Sequence, residues 1–163
     1  MRKFLIALVL IIVANLGCKK EQIGDGICAC SPATGPSVFL VLKNAAGADL
    51  LDTKIAGSFQ ASQIELTHLK ADGSRVPVRF VIRPPFSYDG EKFQYHQLTS
   101  EELARLATSV NEKFYLKLGN GPTYEVNLNR DANTRVEKLL VNQVEVPSEA
   151  ALKKYVDLFY ITF

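Results

Sequence analysis

An antiparallel β-sandwich is the fold class this chain predicts, and three observations point to it. From Val38 onward, short apolar runs alternate with polar residues at period two. Turns bearing Gly, Asp and Asn separate these runs at close spacing. Apolar residues at helical spacing occur only briefly, after Thr99. The expectation is an all-β, immunoglobulin-like sandwich with one or two short helices. A small β-barrel is the alternative. The chain has no Trp and no pair of core cysteines, so the antibody-type signature is absent.

Val38–Lys43 is an apolar run that reads as a strand covered on both faces. The turn-rich stretch Asn44–Asp49 ends it. Leu50 and Leu51 precede a loop holding Gly57, and Ile64–Leu69 alternates as a second strand. Ala71-Asp72-Gly73 makes the next turn. Val76, Val78, Phe80 and Ile82 then face a core, while Arg75, Pro77, Arg79, Val81 and Arg83 face water. One strand is expected there. Pro77 lacks a ladder donor and places it at a sheet edge, where the arginines would discourage further strand addition.

Pro84-Pro85 stops that strand, and Asp89-Gly90 turns the chain. Lys92–Leu98 follows, with Phe93 and Tyr95 on one face. Thr99 as cap and Glu102 three residues later predict a capping box and a short helix over 100–108. Lys113–Leu118 and Tyr124–Leu128 form a hairpin around Gly119–Pro122. Val136–Val141 and Val144–Val146 flank a tight turn at Asn142-Gln143. Ser148 is expected to cap a helical turn through Ala151, and Val156–Phe163 is a terminal strand tied into a sheet.

The N-terminal stretch predicts location. Arg2 and Lys3 precede an apolar run, Phe4–Ala14, that is too short for a comfortable span of about 20 residues. It ends at Asn15-Leu16-Gly17-Cys18, followed by Lys19, Lys20 and Glu21. This looks like the lipobox of bacterial lipoproteins, although Asn15 stands where that pattern has Leu. The resemblance implies a cleaved signal peptide at 1–17 and lipidation of Cys18. It also implies a flexible tether over 18–37, rich in Gly and Pro, and a single domain over 38–163. Two or more acyl chains make a stable anchor. The whole chain further resembles small envelope lipoproteins of the Bacteroidetes type. That resemblance rests on Cys18-Lys19-Lys20, the tether Cys28-Ala29-Cys30-Ser31-Pro32, and Leu50-Leu51-Asp52 after the first strand. It implies an outer-membrane, lipid-anchored protein, with the bilayer as its first partner.

Of the 19 Lys+Arg, Arg2 and Lys3 leave with the signal, so 17 basic residues face 17 acidic ones in the mature chain. A neutral domain offers no case for nucleic-acid binding. Cys28 and Cys30 would lie in an oxidising compartment, where they are expected to form a small strained disulfide or remain a tether feature. A redox pair or thiolate metal site is the sharper reading. With no second Cys pair and two isolated histidines, no metal and no cofactor are expected.

No Gly-rich phosphate loop, nucleophile elbow or zinc-protease motif occurs. Glu101-Glu102 suits a helix start, and His68 and His96 are each alone. The chain is therefore expected not to be an enzyme. Binding is the better expectation. Tyr88 and His96, with Phe86, Phe93 and Tyr95, surround the loop from Pro84 to Gly90 and suit a glycan or peptide. Arg75, Arg79 and Arg83 suit an acidic glycan or lipid phosphate. The plainer alternatives are that Phe93 and Tyr95 are core and that the arginines line a solvated edge. Two function classes follow: an anchored binding or adhesion module, or an accessory subunit that docks another envelope protein.

Overall fold

Two open sheets face each other across one apolar core, as the alternating pattern predicts. The computed structural model describes residues 37–131, 135–148 and 156–163. The signal peptide, Cys18, the tether up to Pro36 with Cys28 and Cys30, and the helical turn expected after Ser148 lie outside the described residues.

The first half of the domain carries β1 (Val38–Lys43), β2 (Ile64–Leu69), β3 (Arg75–Pro77), β4 (Val81–Arg83), β5 (Phe86–Tyr88), β6 (Glu91–Phe93) and β7 (Gln97–Ser100). After a short helix, α1 (Glu101–Leu106), come β8 (Lys113–Leu118), β9 (Thr123–Arg130), β10 (Val136–Val141), β11 (Val144–Glu145) and β12 (Asp157–Thr162). One sheet runs β12-β1-β7-β4 and the other β11-β10-β9-β8-β2-β3, with β5-β6 as a separate hairpin. Neither sheet closes on itself, so the barrel alternative does not form. The pairs are antiparallel except one. β1 and β12 run parallel, from Val38 opposite Asp157 to Lys43 opposite Thr162.

Period-two alternation places Val38, Leu40 and Leu42 of β1 on the core, against Leu66, Phe114 and Leu128 of the opposite sheet. The other face of β1, Phe39 and Val41, meets Phe93 and Leu158 in a second, smaller cluster. Both faces of β1 are thus covered, as its unbroken apolar run predicts. Turn chemistry also holds. Asp89 and Gly90 have φ of 50° and 81°, and Asn142 and Gln143 have 49° and 67°. Such paired left-handed conformations match the twist of a two-residue hairpin. At the earlier turn, hydrogen bonds from the Ser74 hydroxyl and backbone N–H hold the Asp72 carboxyl below the ordinary aspartate value.

Three expectations need correction. The strand predicted across Arg75–Arg83 is two strands on different sheets, β3 and β4. The apolar parity survives, because Val78, Phe80 and Ile82 all pack on the same core. What breaks is the ladder. Val78 N–H still donates to Leu66 O at 2.8 Å, but Arg79 N–H donates to Glu102 Oε2 at 2.8 Å. Arg79 O in turn accepts from Ser100 Oγ at 2.6 Å. The corner's backbone groups are satisfied by the start of α1 instead of by a neighbouring strand. Both halves remain sheet edges, as Pro77 requires.

The helix cap is Ser100, whose Oγ accepts from Leu103 N–H at 2.9 Å. Thr99 instead pairs with Phe39 and Val81 inside the sheet. Glu102 reaches Arg79, so no capping box forms. Finally, the strand expected over Lys92–Leu98 divides into β6 and β7. His96 N–H leaves the ladder between them to bond Asp49 Oδ2 at 2.8 Å.

Candidate functional site

The arginines predicted to form one row sit in three settings. Arg75, on the edge of the six-stranded sheet, lies 3.9 Å from the centroid of the Tyr115 ring. Arg79 occupies the corner and lines an open cavity of about 510 Å³ with Phe80, Glu102 and Arg105. Arg83, on the edge of the four-stranded sheet, stands 4.8 Å over the Phe86 ring and 5.7 Å over Phe39. The corner between β3 and β4 separates them, so they do not act as one strip.

The aromatic loop is mostly turned inward. Phe86 and Phe93 stack with centroids 4.3 Å apart and planes 5° from parallel, and Phe93 is buried. Tyr95 packs against the same cluster. Tyr88 is the exposed ring of the hairpin, at 54%. His96 is positioned by Asp49: the ring Nδ1 lies 2.9 Å from Asp49 Oδ2, the oxygen that also accepts the His96 backbone N–H. Asp49 Oδ1 accepts from Leu51 N–H at 2.9 Å, so the buried carboxylate stitches the loop after β1 to the start of β7. His68 is similarly occupied. Its Nε2 lies 2.8 Å from Glu112 Oε2, and its ring stacks on Phe114 at 4.8 Å.

A different aromatic group lines a concavity larger than the one at Arg79. It is an open groove of about 780 Å³ along the C-terminal half of β12, closed on its far side by the β10–β11 hairpin. Lys43 ends β1 on the sheet's outer face. Its Nζ stands 4.6 Å from the Tyr160 ring centroid and 5.1 Å from that of Tyr95. Tyr95 and Tyr160 meet edge-on at 6.1 Å. On the other side of β12, Tyr124 and Phe163 meet edge-on at 4.6 Å. Val144, 68% exposed, and Asn142 form part of the opposite wall.

The groove's polar groups are unevenly matched. Glu145 lies 3.5 Å from Lys138. Asn142 Oδ1 accepts from Glu125 N–H at 2.9 Å, which leaves its NH₂ as a donor. Among the described residues no carboxylate lies within 4.0 Å of the Lys43 ammonium, and ring faces are its contacts. An ammonium over ring faces is held by the ring quadrupole while its charge stays available. The edge of β12 is already engaged: Tyr160 N–H donates to Pro147 O at 3.0 Å, and Ser148 bridges Phe159.

Of the groove residues, sequence reasoning singled out only Tyr95. Lys43, Tyr124 and the pair Tyr160 and Phe163 come from three separate segments, and no spacing joins them. The one available signal was Tyr160, an aromatic residue on the parity of β12 opposite to its core face.

Among the described residues no group of three or more His, Cys, Asp or Glu side chains is placed to hold a metal ion. No described helix is long and apolar enough to cross a membrane. No family model, curated protein or solved structure matches the chain.

Proposed function

We propose that this chain is a lipid-anchored envelope protein whose β-sandwich serves as a non-catalytic binding module. Support for the anchor comes from the order of Arg2-Lys3, the apolar run and Cys18. Support for binding comes from the groove along β12, where an ammonium with no carboxylate partner among the described residues sits among tyrosine rings. That juxtaposition carries the reading. Apolar walls with a few convergent polar groups are the usual make-up of a ligand site, and the volume lies in the range of about 300–1,000 Å³ common to such sites. The cavity at Arg79 is smaller, about 510 Å³, and there Glu102 and Arg105 pair with each other at 3.6 Å.

The anchor and the module have separate tests. Radiolabelled palmitate should enter the full-length protein and fail to enter Cys18→Ser; equal labelling of both removes the anchor. For the module, a glycan array is probed with full-length protein in detergent. Tyr160→Ala should lose the retained glycans and Tyr88→Ala should keep them. The reverse pattern would return the contact surface to the β5–β6 loop. An array left blank by a folded protein that co-purifies with one envelope protein favours the second reading, an accessory subunit. Val81 and Val144, exposed on the edge strands β4 and β11, are the feature that suits such docking.

A further inference from the structure

We infer that the groove along β12 takes a carbohydrate bearing a carboxylate, with Lys43 as the charge partner of that group. The inference rests on reading the groove as the binding surface. Its first support is charge. Glu145 is matched by Lys138, whereas Lys43 has no acidic partner among the described residues. Another groove side chain, Asn142, has its oxygen engaged and an NH₂ to give. A donor-rich groove calls for a ligand that supplies acceptors, and a carboxylate facing an ammonium makes the strong, charge-assisted kind of hydrogen bond.

The second support concerns shape. An acidic peptide would also satisfy Lys43, but an extended peptide gains most of its affinity by adding to a strand edge. At Phe159 and Tyr160 the edge of β12 is closed by Ser148 and Pro147. What remains open is a floor with Lys43 and walls of Tyr124, Phe163 and Val144. These walls suit the apolar C–H faces of sugar rings, and the volume of about 780 Å³ suits a short oligosaccharide.

The test titrates full-length protein in detergent with tetragalacturonic acid, its methyl ester and hexaglutamate, using calorimetry. Thermal unfolding of every variant confirms that it is folded. The acid is expected to bind, and the ester to bind about tenfold or more weakly, since a hydrogen bond to a charged group is lost. Lys43→Met should weaken the acid by a similar factor and leave the ester unchanged, while Lys43→Arg should restore the acid. Equal binding of acid and ester, both lost in Tyr124→Ala, would overturn the carboxylate and leave the groove as the site. Binding that no groove variant changes would overturn the groove itself. Hexaglutamate binding tighter than the uronate would replace the sugar by a peptide, and failure of all three probes with folded protein would sink the inference.

Discussion

The two faces of β1 pose the same packing problem and solve it differently. Its inner face, Val38, Leu40 and Leu42, is sealed between two sheets in a largely aliphatic core. Its outer face, Phe39 and Val41, is covered by a hairpin of two three-residue strands, β5 and β6. That cover buries Phe39 and Val41 but leaves Lys43, at the end of the strand, half-buried. Its rim is therefore built from rings with cations laid over them, Arg83 over Phe86 and Lys43 over Tyr160. Long basic side chains suit this position because the stem shields apolar surface while the charged head stays wet. A complete seal gives a core, and an incomplete one gives a surface with chemistry. The groove opens where the small cover ends.

Two phenylalanines put the contrast to the largest test. Phe114 is 0% exposed in the inner core and Phe93 is 3% exposed in the outer cluster. Burial alone would assign them equal cost. Phe114→Ala should destabilise by about 4 kcal/mol, because rigid sheets on both sides cannot collapse into the void. Phe93→Ala should cost roughly 2 kcal/mol in global stability, since the hairpin can detach locally while both sheets persist. Denaturant unfolding measures both. Hydrogen exchange should show protection lost at β5–β6 and kept at β8 in the Phe93 variant. Equal costs would erase the distinction between the two faces.

A smaller effect is expected at the corner that joins the sheets. Ser100→Ala removes the cap of α1 and leaves Arg79 O without its hydroxyl donor, which should cost about 1–2 kcal/mol. Ser100→Thr should recover part of that loss, whereas a cost below about 0.5 kcal/mol would mean that water replaces the hydroxyl at the corner. Smallest is Arg83→Ala, at about 1 kcal/mol or less, as expected for a cation over ring faces at a partly exposed site. A loss as large as that of Phe93→Ala would show that the guanidinium holds the hairpin down, and the outer face would then be closed more firmly than its size suggests.

These regions also differ in how far the sequence reveals them. β1, β2, β8 and β10 follow from local alternation and turn chemistry, because side-chain period and φ preference act within a few residues. The Asp89-Gly90 and Asn142-Gln143 turns belong to the same class. The corner at Arg79 does not. Parity runs unbroken from Val76 to Ile82, so nothing in the pattern marks the change of sheet. The cause lies in Ser100 and Glu102, some twenty residues away. The division of Lys92–Leu98 has a similar origin, since Asp49 takes the His96 N–H from across the loop. The groove was out of reach for the same reason. Lys43, Tyr95 and Tyr160 meet because the first and last strands lie side by side.

That parallel pairing has a mechanical consequence. A pull through Ser37 at the start of β1, resisted by something gripped near the far end of β12, is directed along both strands. The ladder between them is then loaded in shear, with the hydrogen bonds from Val38 to Thr162 sharing the force together instead of parting one by one. Rupture under such a load follows the unfolding rate and not the resting stability. A domain threaded this way can hold firm under tension that would peel a hairpin apart.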